Sequence, residues 1–127
     1  KKTVENENGN TTNAEPPAKP PVTELTFEPK SGLKLGTFKF GETKDFTITF
    51  TNTGKHDFEF LHIQGACTCT KVTDYTKRVK PGQKGTIKFT FDSGVAEIQK
   101  GYNSGIEIYG NIKDDLIIYE LEADITE

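Results

Sequence analysis

Cys67 and Cys69 stand one residue apart in Ala66-Cys67-Thr68-Cys69-Thr70, and they are the only cysteines of this 127-residue chain. Methionine is absent as well, so these two sulfurs are its only soft, redox-active atoms. Chemistry beyond surface binding has to run through them. In a regular strand, residues two apart have Cα atoms about 6.6–6.8 Å apart. A disulfide wants Cβ atoms about 3.5–4.5 Å apart, so a Cys67–Cys69 bond requires a local bend, and a strained bond is easily reduced. That would suit thiol exchange, although no Cys-x-x-Cys at a helix N-terminus is present to lower a thiol pKa. A second arrangement is a Cys₂His₂ set with His62 and His56, since thiolates favour copper(I) or zinc. His56 falls in the Gly54-Lys55-His56-Asp57 turn, at the far end of the next strand, so only His62 can approach the cysteines. The third arrangement is structural: free cysteine packs as a small apolar residue, or a simple disulfide closes a bend at a strand edge. The structural readings lead, with a thiol-redox or copper-handling module centred on Cys67 and Cys69 as the alternative. No resident metal or cofactor is expected.

No other constellation carries chemistry. There is no Gly-x-Ser-x-Gly, no phosphate-cradling glycine-rich loop, and no paired acid with a histidine base. His56 sits beside Asp57 with no serine near them in sequence, so the chain reads as a non-enzyme. Glu120, Glu122 and Asp124 alternate along the last strand, where such charges keep a sheet edge soluble. Lys77, Arg78, Lys80 and Lys84 surround Pro81-Gly82 and read as a solvated basic loop. The net charge of −3 argues against a nucleic-acid binder, which shows a basic face. No apolar run approaches the ~18–20 residues of a transmembrane helix.

The elements that must position the cysteines have period two. Phe46, Ile48 and Phe50 alternate with threonines; Ile87, Phe89 and Phe91 alternate with Lys88, Thr90 and Asp92; Leu121, Ala123 and Ile125 alternate with acids. Turn signals separate these runs at Asn52-Thr53-Gly54-Lys55, Pro81-Gly82-Gln83-Lys84-Gly85, Ser93-Gly94 and from Asn111 to Asp115. The predicted strands are about 24–28, 34–40, 44–51, 57–63, 68–73, 85–92, 104–110 and 116–124. In the connection from Asp92 to Ser104, Val95-Ala96-Glu97-Ile98-Gln99 either forms a helical turn or crosses between sheets. The fold class is all-β, an immunoglobulin-like antiparallel sandwich of about seven or eight strands. Nine phenylalanines and no tryptophan make Phe the main filler of its core. Residues 1–22 are rich in Asn, Glu, Thr and Pro and cannot bury enough surface to offset their ordering entropy. They read as a flexible tether, and residues 23–127 as the folded domain.

The order Leu35-Gly36-Thr37-Phe38-Lys39-Phe40-Gly41-Glu42, Phe50-Thr51-Asn52-Thr53-Gly54, Cys67-Thr68-Cys69-Thr70 and Pro81-Gly82-Gln83-Lys84-Gly85 resembles the bacterial immunoglobulin-like domain of unknown function 1573 family. That family is similar in plan to major sperm protein-like and ASH-like sandwiches. The pairing of the Phe-Thr-Asn-Thr-Gly and Pro-Gly-Gln-Lys-Gly turns is its more specific part. The resemblance implies a secreted or lipid-anchored protein of Gram-negative bacteria, extracytoplasmic, with its anchor N-terminal to Lys1. It further implies a binding or scaffolding role toward an unidentified protein or cell-envelope partner, as monomer or homodimer, through loops or an exposed strand edge. The family's usual Cys-Gly-Cys-Thr appears in this chain with Thr68 in place of glycine. Because β-branched Thr prefers extended backbone, a tight ring between the sulfurs is expected to form less easily than in a relative with glycine.

Overall fold

The computed structural model describes residues 21–127; residues 1–20, nearly all of the expected tether, lie outside the described residues. Nine strands follow: β1 (Leu25–Glu28), β2 (Gly32–Lys39), β3 (Thr43–Asn52), β4 (Phe58–Gly65), β5 (Thr70–Tyr75), β6 (Arg78–Val79), β7 (Lys84–Asp92), β8 (Gln99–Gly110) and β9 (Leu116–Thr126). They form two sheets, β1-β3-β7-β5 and β2-β9-β8-β4-β6. This is the immunoglobulin-like all-β sandwich that the alternating pattern predicts.

Period two becomes burial directly. In β3 and β7, Phe46 lies opposite Phe89 and Ile48 opposite Ile87. Their side chains point to the inner face while the threonines between them point out. Phe38, Phe50, Phe58, Phe89 and Phe91 are fully buried, each contributing about 1.5–3 kcal/mol by leaving water. Their rings interlock across the layers: Phe38 against Phe91 at 5.1 Å, Phe50 edge-on to Phe58 at 6.1 Å. Phe46 is half-buried and stacks on Phe89 at 5.4 Å.

Two features depart from the pattern-based reading. First, β2 pairs with β9 in parallel, Leu33 with Leu121 and Phe38 with Ile125, whereas the other ladders are antiparallel. Second, β9 is therefore an interior strand between β2 and β8, so the outward Glu120 and Glu122 do not protect a sheet edge. Alternation shows which face a residue takes, but it carries no record of which strand lies alongside. The connection after Asp92 crosses from the sheet of β7 to that of β8; its short 3₁₀ turn lies at Ser93–Val95, ahead of the Val95–Gln99 stretch considered for one, and β8 already begins at Gln99 rather than near Ser104.

Candidate functional site

Strands β4 and β5 belong to different sheets, so the segment joining them must turn from one layer to the other. The Ala66 N–H donates to the Gly105 carbonyl at 2.8 Å, prolonging the β4–β8 pairing by a residue. The Thr70 N–H then donates to the Cys67 carbonyl at 3.2 Å, and the Asp92 N–H to the Cys69 carbonyl at 2.7 Å. Gly65 is held so close to the Thr70 carbonyl that a Cβ there would run into it. The strand expected over 68–73 accordingly begins at Thr70, and both cysteines lie in the turn.

In that turn the Cα atoms of Cys67 and Cys69 are 5.2 Å apart and the sulfurs are bonded to each other. The local bend that a bond requires is thus built by the change of sheet. Thr68 does not oppose it. Among the described residues only Asp114 and Asp115 are non-glycine residues with positive φ, so the turn asks for no left-handed residue at Thr68. The ring closes around Thr68 without a left-handed residue.

The sulfurs differ in access. Cys67 is partly exposed, whereas Cys69 is 1% exposed. Ser104 on β8 places its Oγ 3.2 Å from Cys67 Sγ and 3.6 Å from Cys69 Sγ. Thr70 Oγ1 lies 2.7 Å from Ser104 Oγ and 3.8 Å from Cys69 Sγ, and the Tyr102 hydroxyl lies 4.0 Å from Cys69 Sγ. A bonded sulfur carries no hydrogen, so any hydrogen bond here has the hydroxyl donating. Sequence reasoning alone does not single out Ser104, Thr70 or Tyr102. The available signal is a serine interrupting the inward-facing series Tyr102, Ser104, Ile106, Ile108.

His62 does not join the cysteines. Its Nε2 is 2.8 Å from Gln64 Oε1, Gln64 donates to Glu107 Oε1 at 2.7 Å, and the imidazole is tilted against Tyr109 at 5.7 Å. The same Glu107 accepts from the Tyr109 hydroxyl and thereby raises the phenol's pKa above its ordinary value. These residues form an exposed polar row on β4 and β8. Among the described residues no three His, Cys, Asp or Glu side chains gather into a group able to hold an ion. Of the basic loop, Arg78 pairs with Glu59 and Lys84 reaches Glu28 at 3.7 Å.

The disulfide's end of the sandwich also gathers exposed apolar side chains. Ser93 Oγ donates to the Lys39 and Glu42 carbonyls and accepts from the Gly41 N–H, fixing the Ser93–Val95 turn against the β2–β3 turn. The Phe40 N–H donates to the Thr126 carbonyl, and Gln99 pairs with Ile125, so Phe40 and Ile98 flank the end of β9. Phe40, Val95 and Ile98 are 47%, 53% and 51% exposed.

The opposite end is closed by two buried asparagines. Asn52 is fully buried, donates to the His56 and Val79 carbonyls at 2.8 and 2.9 Å, and accepts from Thr23 Oγ1 and the Gly54 N–H. Its backbone bonds to Gln83 and Gly82. The Phe-Thr-Asn-Thr-Gly and Pro-Gly-Gln-Lys-Gly turns therefore meet at this one residue. Asn111 donates to the Pro21 and Asp57 carbonyls and accepts from the Glu59 N–H.

Solved structures share this architecture. A protein of unknown function from Porphyromonas gingivalis W83 superposes with a TM-score of 0.66 at 22% identity, over 87% of this chain and 50% of its own. The secreted serine protease VesC from Vibrio cholerae gives 0.62 at 16% identity, over 80% of this chain and 23% of its own. The PapD-like domain 7 of human CEP192 gives 0.57 at 13% identity, over 92% of this chain and 95% of its own. The chain thus spans about a quarter of the protease and half of the P. gingivalis protein. At such identities the likeness is one of fold. No curated protein matches the sequence. Residues 25–125 match the family described as protein of unknown function (DUF1573), and the chain belongs to that family.

Proposed function

We propose that this chain is a non-catalytic, extracytoplasmic binding module that grips a protein of the cell envelope with the end carrying Phe40, Val95 and Ile98. The observation that carries this reading is the exposure of Phe40 and Val95 on two turns pinned together by Ser93, with the exposed Ile98 three residues further on. Aromatic and aliphatic side chains on a rigid frame bury area at little entropic cost. The sheet edges are poorer candidates. Of the edge strands, β1 and β6 are only four and two residues long, and β2 and β5 carry a ladder irregularity, between Lys34 and Gly36 and between Val72 and Asp74. Bulges of this kind blunt an edge against strand addition.

The compartment is inferred from the disulfide, which persists in oxidising surroundings, and from a fold likeness to a secreted protease. Lipid anchoring rests on the family resemblance and on the polar, proline-bearing composition of residues 1–22. The test is site-specific photocrosslinking in native envelopes, with the photoreactive residue at position 40, at 95, or at the exposed Leu61 on β4. Adducts to one envelope protein from 40 and 95, lost in Ile98→Asp, are expected. Adducts from 61 alone would transfer the site to the part of β4 beyond its short pairing with β6, and an adduct of twice the chain's mass would make the partner a second copy.

A further inference from the structure

We propose that the Cys67–Cys69 disulfide is a thiol-exchange site that takes two electrons from a dithiol of a partner protein. Three observations carry it. The bond closes over a single intervening residue, and a loop so short restricts the unfolded chain little, so the bond is weakly favoured by chain entropy. Cys67 is partly exposed and Cys69 is buried, so Cys67 is the residue that an incoming thiol reaches first. The buried sulfur has the hydroxyls of Thr70, Ser104 and Tyr102 near it; because Thr70 and Ser104 share one hydrogen bond with each other, up to two of the three can donate to a negative charge appearing there.

A deprotonated thiol of the partner attacks Cys67 Sγ. A bond forms between those two sulfurs, the Cys67–Cys69 bond breaks, and its electron pair leaves on Cys69 as a thiolate. Hydrogen bonds to a thiolate lower the pKa of its thiol, and a lower leaving-group pKa speeds exchange. The partner's second thiolate then attacks the partner's own sulfur in the mixed disulfide, releasing Cys67 as a thiolate. The partner is oxidised to a disulfide, this chain holds two reduced cysteines, and the two protons lost by the partner's thiols are available to them. The partner dithiol is the reductant and the Cys67–Cys69 bond the oxidant, so no further reagent enters.

The oxidised protein is mixed near neutral pH with a reduced synthetic peptide carrying two cysteines, and the peptide disulfide and protein thiols are counted by mass. Peptide oxidation with two thiols appearing per chain is expected, faster for the native protein than for the same protein unfolded in urea. Ser104→Ala should slow the reaction about tenfold by withdrawing one donor from the leaving sulfur, with the protein still folded and its urea midpoint lowered only by the loss of the Ser104–Thr70 hydrogen bond. In oxidised glutathione, Cys69→Ser should become glutathionylated on Cys67 while the native fold of Cys67→Ser protects Cys69. Rates equal in the native and unfolded protein, a rate unaffected by Ser104→Ala, or equal modification of both cysteines would each overturn the proposal. The probe peptide needs no apolar docking sequence, so loss of the crosslinks at Phe40 and Val95 leaves this result untouched.

Discussion

The two ends of the sandwich are finished with different chemistry. At one, Asn52 and Asn111 are buried amides whose side chains make four and three hydrogen bonds, mostly to backbone groups of neighbouring turns. At the other, a surface disulfide over one residue, three hydroxyls and exposed Phe40, Val95 and Ile98 take their place. A buried amide with all its partners is rigid, because each lost bond leaves a desolvated group behind. A short ring in a turn, with Cys67 partly exposed, can open with the phenylalanine core still in place. One end holds the fold together, and the other is free to change state or meet a partner.

Stability measurements can break that contrast. Asn52→Ala should be the most damaging substitution. It strips partners from the Val79 and His56 carbonyls and the buried Thr23 hydroxyl, while the Gly54 N–H keeps the Glu24 carbonyl. At about 1–3 kcal/mol per buried group left unsatisfied, and with some of them reached by water, the loss should be at least about 3 kcal/mol in urea denaturation. Reducing the disulfide should cost less, about 1.5–2 kcal/mol, the chain-entropy value for so short a loop. Paired urea curves with and without a reductant give this directly. A reduction cost exceeding that of Asn52→Ala would mean that the sulfur end is the structural one. Thr23→Val comes next, at about 1 kcal/mol for a single neutral hydrogen bond; a larger loss would show that Thr23 and Asn52 act as one unit with the β1 start.

What the sequence reveals follows the same division. Strand positions, the phenylalanine core and the meeting of two turn motifs are legible because alternation and turn residues are local signals, and Phe46, Phe50, Phe89 and Phe91 sit where alternation puts them. The parallel β2–β9 pairing is not, since strands from near the two ends of the domain leave no mark on one another's composition. The cysteine turn is legible only as a question. Its answer depends on a change of sheet between Gly65 and Thr70 and on Ser104, which reaches the sulfurs from 35 or more residues away. Asn52 is visible as a turn residue, but its burial comes from Val79 and Thr23 closing over it.

The smallest effect on stability is expected from Phe40→Asp, and that is its value. Phe40 is 47% exposed, its backbone N–H rather than its ring ties it to Thr126, and the turn it occupies is pinned by Ser93 through Lys39, Gly41 and Glu42. A surface change away from such anchors alters stability by about 0.5 kcal/mol or less, so the urea midpoint should barely move. The same substitution places a carboxylate on the proposed docking end that also carries Val95 and Ile98, where a partner would have to desolvate it without a paired charge. Crosslinking from position 95 should therefore vanish while the fold stays intact. If Phe40→Asp instead unfolds the domain, the ring is a structural plug, and the two ends differ less than their exposed surfaces imply.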